Sequence, residues 1–186
     1  IVSLAEQLYQ LLVDISRHMH KYPELSGLEK NTASYICSVL DEWNIPYRSG
    51  IGGHGVVALI DGKKPGACIA LRADMDALPV PEKSSLSFAS RNEGAMHACG
   101  HDAHTSILLG TAKVLFQLRQ SLPGSVKLVF QPSEEGAPAG EEGGASLMIK
   151  EGVLRDPEVS AIFGLHVAPD LPTGQVAYRA GGMLAS

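Results

Sequence analysis

The apolar run Ala67-Cys68-Ile69-Ala70-Leu71 passes without a break into Arg72-Ala73-Asp74-Met75-Asp76. A strand that is apolar at nearly every position is covered on both faces, so this run calls for a sheet with a layer on each side. Three more segments fit that sheet: Val56-Val57-Ala58-Leu59-Ile60, Val126 to Gln131, and Ala161-Ile162-Phe163-Gly164-Leu165, which ends at His166. Between them the apolar period is helical. Residues 3 to 20 carry Leu4, Leu8, Leu11, Leu12, Ile15 and Met19 on one stripe, and Pro23 ends it because the residue before a proline is pushed out of the helical region. Ser26-Gly27-Leu28-Glu29 has the form of a capping box and opens a second helix, with Ala33, Ile36, Cys37 and Leu40 facing inward. A third helix is predicted over 105 to 121, capped by Thr105 or Ser106, and a short one from Gly144 to Glu151. Asp61-Gly62 supplies a turn, and residues 79 to 95 read as a polar surface excursion. Strands alternating with helices at this spacing predict an α/β sheet with parallel crossovers, in a chain whose 186 residues fit one domain.

Composition narrows the partners. Fifteen basic against twenty acidic residues leave a net charge of −5, and no Lys/Arg stripe forms, which argues against nucleic acid and against an anionic membrane surface. No apolar run approaches the length of a membrane span. Cys37, Cys68 and Cys99 are an odd number and widely spaced, which points to reduced thiols and a cytoplasmic setting. Cys37 and Cys68 lie in apolar runs and read as core residues. Gly50-Ile51-Gly52-Gly53-His54-Gly55 looks like a phosphate loop, yet it leads into a strand and not into a helix N-terminus, so the nucleotide reading fails on context.

Reactive residues concentrate in Met96-His97-Ala98-Cys99-Gly100-His101-Asp102-Ala103-His104-Thr105. Cys99 and His101, two apart, share one side of an extended segment but not one face of a helix, so the pair belongs just ahead of the third helix. Asp74 and Asp76 follow one predicted strand, Glu134 and Glu135 a second, and His166 a third. In an open α/β sheet that edge is where ligands bind, so these residues converge on one crevice. Thiol, imidazole and carboxylate together form a metal-ligand set that suits zinc and tolerates manganese or cobalt. Two adjacent carboxylates serve two roles: one binds metal while its neighbour takes a proton from water and hands it to a departing amine. Left open are a thiol-nucleophile hydrolase, with Cys99 attacking and His101 or His104 as base, and a binding module that does not turn over. His18 and His20 at the end of the first helix are either dipole-stabilised surface residues or part of a His-x-x-Pro-Glu corner packed near the site.

The motifs His20-Lys21-Tyr22-Pro23-Glu24-Leu25-Ser26, Leu71 to Pro79, Met96 to His104, Phe130-Gln131-Pro132-Ser133-Glu134-Glu135-Gly136 and Gly164-Leu165-His166-Val167 carry a resemblance that covers nearly the whole chain. It resembles the catalytic domain of the co-catalytic metallopeptidase-like amidohydrolases, among them hippurate hydrolases, N-acyl-amino-acid amidohydrolases, N-acetyldiaminopimelate deacetylases and plant auxin-conjugate hydrolases. The resemblance implies a three-layer α/β/α zinc-exopeptidase-like fold with a mostly parallel sheet. It implies two divalent metals per complete site, with Cys99, His101, Glu135 and His166 as ligands and Glu134 as general base. Asp76 matches an acidic position that orients a metal ligand, and Asp102 and His104 support the site or the helix start. The implied reaction is hydrolysis of the amide of an N-acyl amino acid, with a dipeptidase or N-acetyldiaminopimelate deacetylase as the alternative on the same scaffold. Residues 1–180 would be the catalytic domain and 181–186 the start of a linker to a lid and dimerisation domain. That lid, a homodimer through it and a further metal-binding histidine would lie outside this sequence, so the 186 residues alone are expected to be nearly inactive.

Overall fold

A computed structural model describes residues 1–137, 140, 142–178 and 180–181, so most of the expected linker, 182–186, lies outside the described residues. The elements run α1 (Val2–Lys21), α2 (Lys30–Glu42), β1 (Tyr47–Ile51), β2 (Gly55–Asp61), β3 (Lys64–Asp74), α3 (His101–Leu118), β4 (Pro123–Gln131), α4 (Gly144–Lys150) and β5 (Val159–Gly164). The strands form one sheet in the order β1-β2-β4-β3-β5. β3 pairs in parallel with β4 and with β5, from Cys68 opposite Ser125 and Val159 to Asp74 opposite Gln131. β2 is antiparallel to β4, and β1 is antiparallel to β2. The expected parallel arrangement therefore holds for β3, β4 and β5, and an antiparallel ribbon of β1 and β2 extends it.

Period-two alternation sends the two faces of each strand to different cores. Val56, Ala58 and Ile60 of β2 and Leu128 and Phe130 of β4 join Ile15, Met19, Ile36, Leu40, Leu108 and Leu109 from α1, α2 and α3. Val57, Ala70 and Val129 turn the other way and meet Met148 and Val153 around α4. Ile36 and Leu40 have no exposed surface, and each such side chain contributes about 2 kcal/mol of burial free energy. Three layers result, as expected. The second face also holds a buried lysine that the apolar pattern does not announce: Lys127 Nζ donates to the carbonyls of Val153, Arg155 and Pro157 at 2.9, 2.7 and 3.0 Å. β5, by contrast, stands at the sheet edge and is exposed from Ser160 to Gly164.

Several local expectations give way to tertiary contacts. Of the α1 stripe only Ile15 and Met19 are buried; Leu4, Leu8 and Leu12 are half-buried and Leu11 is exposed. Ser26 and Glu29 do not form a capping box, since α2 begins at Lys30 and neither side chain caps it. The cap comes from Glu24, whose carboxylate accepts the amides of Asn31 at 3.2 Å and Thr32 at 2.7 Å. Asp61-Gly62 does turn the chain, but β2 and β3 are not neighbours, because β4 inserts between them. α3 starts at His101, four residues earlier than its pattern suggests, behind Gly100 at φ 85°. A Cβ on Gly100 would stand 2.5 Å from Val167 Cγ2, so this left-handed position is glycine's for two reasons. Thr105 and Ser106 cap nothing; their hydroxyls donate to the carbonyls of Asp74 and Leu12 at 2.9 and 2.7 Å.

Candidate active site

The carboxyl ends of β3, β4 and β5 deliver Asp74 and Asp76, Glu134 and Glu135, and His166 to one edge, and the first turn of α3 adds His101 and His104. Cys99 stands just ahead of that turn, as its spacing predicts, whereas His101 is the first residue of the helix itself. Every predicted site residue reaches this cluster. A surface groove of about 410 Å³ lies elsewhere, between α2 and β1, beside Cys37, Tyr47 and His54. Cys68 is buried and Cys37 half-buried, both unpaired, which fits packing roles.

One half of the cluster is closed. Arg72 donates through Nη1 to Asp74 Oδ2 at 2.7 Å and through Nε to Gln131 at 2.8 Å. Asp74 Oδ1 accepts from His104 Nδ1, and His104 Nε2 in turn accepts the Val167 amide at 2.9 Å. That last bond fixes the tautomer: Nδ1 carries the proton and neither nitrogen is left over. Burial would raise the Asp74 carboxyl, but the His104 hydrogen bond and the charges of His101 and Arg72 outweigh it and hold it down at about 2.

The other half is open. Asp76 Oδ2 accepts from Ser26 Oγ at 2.6 Å and from the amides of Glu134 and Glu135 at 2.8 and 2.9 Å. His101 Nδ1 donates to the Asp76 carbonyl at 2.9 Å and approaches its Oδ1 at 3.2 Å. With Nδ1 so occupied, Nε2 presents a lone pair that is buried and meets no hydrogen-bond partner; Glu135 Oε1 is buried and unpartnered as well. The two atoms face each other at 3.6 Å, with Glu134 Oε2 3.9 Å from the same nitrogen. His166 repeats the pattern, since Nδ1 donates to the Val167 carbonyl at 2.6 Å and Nε2 lies 3.4 Å from Cys99 Sγ. Cys99, His101 and His166 offer ligand atoms within 4.8 Å of one another, as do His101, Glu134 and Glu135.

Two shifts describe the field in this half. Burial opposes charge on His101, yet the hydrogen bond to Asp76 and the carboxylates of Asp74, Asp76 and Glu135 raise its pKa on balance. Burial, then Glu135 and the other carboxylates, push the Cys99 thiol up to about 12. Negative potential that holds a proton on imidazole and thiol equally favours a cation between them. His101 and Glu135 each keep a buried atom without a partner, Nε2 and Oε1, and would hold a divalent ion there, so the donor set fits a metal.

Around this core lie residues whose part the sequence reading left undecided or missed. His20 bridges Asp102 at 2.8 Å and Glu82 at 3.3 Å, which ties the end of α1 to α3 and to the 79–95 excursion and favours the corner reading of that histidine. The sequence places Asp74 at this edge by its strand without a role of its own, and Ser26 in a capping box; the structure ties the first to His104 and the second to Asp76. His97 is buried with neither ring nitrogen partnered, and burial pushes it down to about 4.

A family model described as peptidase family M20/M25/M40 matches residues 70–181. The chain is 48% identical over 185 residues to a probable hydrolase, sll0100, of Synechocystis sp., covering 99% of this chain and 45% of that protein. It is 44% identical over 175 residues to an N-acetyl-L-cysteine deacetylase of Bacillus subtilis, covering 94% of this chain and 40% of the other. The crystal structure of Bacillus subtilis YXEP, described as a dinuclear metal binding peptidase from the M20 family, aligns with TM-score 0.82 and 44% identity over 90% of this chain and 45% of that one. The chain thus spans less than half the length of these relatives.

Proposed function

The chain belongs to peptidase family M20/M25/M40, and from that premise and the chemistry of the acidic edge we propose that it is the catalytic part of a metal-dependent amidohydrolase acting on N-acyl amino acids. The observation that carries the reading is the pair of imidazoles whose Nδ1 protons are tied to backbone carbonyls, leaving Nε2 lone pairs aimed at Glu135 and at Cys99. Cys99, His101, Glu135 and His166 are the ligands on this reading. A divalent ion bound there, zinc, manganese or cobalt and two in a complete site, supplies Lewis acidity to the attacking water and the amide carbonyl. Glu134, whose side chain is 33% exposed, is free to move a proton. It accepts one from the water as the new C–O bond forms and delivers it to the amine nitrogen as the C–N bond breaks, releasing carboxylic acid and amino acid. Asp76 holds the two glutamate amides and orients His101 throughout.

The N-acyl substrate class is supported by the deacetylase named among the relatives, and the peptidase named among the solved structures keeps a dipeptidase as the alternative substrate. A thiol nucleophile with His101 or His104 as base finds less support: His104 has both ring nitrogens engaged, His101 Nε2 faces Glu135, and the thiol is pushed up to about 12, opposite to activation. Three unpaired cysteines fit a reducing compartment, and among the described residues no helix is long and apolar enough to cross a membrane. On this reading the lid, the dimer contact and a further histidine lie in the rest of a longer polypeptide, and residues 1–186 alone are nearly inactive.

The test is a pair of substitutions in the full-length protein. Glu134→Gln lowers the rate on N-acetyl amino acids by about 10²–10⁴-fold with metal content unchanged, while Glu135→Gln lowers metal content. Loss of metal from Glu134→Gln with retention in Glu135→Gln would reverse the assignment. A wild-type protein that binds metal and a substrate analogue without turnover would be a binding module.

A further inference from the structure

The corner between α1 and α2 sends Ser26 to Asp76 and a second side chain, Glu29, to the glutamate turn itself. Glu29 has no exposed surface, and its Oε1 accepts the amide of Ser133, 104 residues later, at 2.8 Å, with Ser133 Oγ at 3.4 Å. Although Glu29 stands at the N-cap of α2, its side chain makes no capping bond, since Glu24 fills that role. Its Oε2 is buried without a partner. Taking a carboxyl out of water costs desolvation free energy, and Oε2 has no partner to offset it, so packing alone does not call for an acid here. Ser133 has φ 49°, a left-handed conformation that a residue with a side chain holds only when its surroundings impose it. Directly after it come Glu134 and Glu135, whose amides are fixed by Asp76.

We infer that Glu29 is a positioning residue: it holds Ser133 left-handed and, together with Asp76, sets the direction in which Glu134 and Glu135 leave the turn. One anchor fixes where the two glutamate amides sit. The second, one residue upstream, fixes the rotation of the chain entering them, and with it whether both carboxylates face His101 Nε2 or solvent. The role rests on the assignments of Glu134 and Glu135 given above.

The experiment uses the full-length protein with Glu29→Met, which keeps the volume without the acceptor, and Glu29→Gln, which keeps an amide oxygen for Ser133. Three readouts are taken: hydrogen exchange at the Ser133 amide, zinc affinity of the metal-free protein, and kcat and KM on an N-acetyl amino acid. Glu29→Met should speed Ser133 exchange by about 10-fold or more and lower kcat or zinc affinity by about 10–100-fold with KM little changed, and Glu29→Gln should restore both. Adding Ser133→Gly to Glu29→Met should recover part of the lost kcat, because glycine adopts the left-handed conformation unaided. If Glu29→Met does not fold, the comparison of wild type, Glu29→Gln and Ser133→Gly in the same readouts stands in: slow Ser133 exchange kept in Glu29→Gln supports the hold, and fast exchange there overturns it. The inference is overturned if Glu29→Met keeps Ser133 protected, or exposes it with kcat and zinc affinity unchanged. An active Glu134→Gln protein would sink the hydrolytic reading instead, and Ser133 exchange would still judge the hold on its own.

Discussion

His101 and His104 stand three residues apart in the first turn of α3, both buried, both against carboxylates, and they are not equivalent. His104 spends both nitrogens, one on Asp74 and one on the Val167 amide. His101 spends one, on Asp76, and leaves Nε2 facing Glu135. Either histidine can be grouped with neighbours into a metal-binding trio by distance alone, as His104 can with Asp74 and His101. Counting donors and acceptors separates them: the closed half of the cluster is a brace between β3 and the segment after β5, and the open half keeps buried bonding capacity unused. The brace bears on the open half through sequence, since Val167 is the residue next to His166.

The comparison is open to direct attack, most severely by removing the two imidazoles in turn. His101→Ala should weaken zinc binding by more than about 100-fold, and His104→Ala by about 10-fold, as expected for a residue that orients a ligand and is not one. Calorimetric titration of the metal-free proteins reads both, and equal losses would erase the distinction between the halves.

Next in size is the charge that anchors the brace. With its carboxyl held at about 2, against 3.8 in an unfolded chain, Asp74 stabilises the fold at every pH above that ordinary value and loses the effect as pH falls through about 2. Asp74→Asn should cost about 2 kcal/mol at pH 7, and denaturant melts of the two proteins should draw together as the pH is lowered below 3.8. A difference that stays constant from pH 7 to pH 3 would mean that shape and not charge anchors His104.

The smallest effect belongs to the rim. The hydrogen bond to Asp102 leads the causes that raise the His20 pKa above 6.5, with Glu82 adding to it and burial opposing. A raised imidazole stabilises the fold fully below its unfolded value and loses that contribution as pH rises through the folded one. The stability difference between wild type and His20→Gln should therefore be larger at pH 6 than at pH 9, by up to about 1 kcal/mol. The reverse trend in thermal melts would remove the ion-pair account of this corner.

The layers and the edge at which reactive residues gather could be read from the linear order of the chain, because they depend on short-range periodicity. A strand that is apolar at successive positions needs cover on both faces wherever it sits, as Ala70 and Ala73 on opposite cores illustrate. Polar residues that follow such runs land at strand ends by the same local rule. Long-range geometry settled the rest. β4 takes the place beside β2 that a short turn would have left to β3. Glu24 caps α2, and Ser26 and Glu29 of the apparent capping box serve Asp76 and Ser133 instead. The helix begins at His101 because a left-handed Gly100 reverses the chain there under Val167. Whether a histidine keeps a ring nitrogen free is decided by one amide arriving from another part of the chain. Residue type and spacing state only that an imidazole has two nitrogens; the fold determines how many remain free.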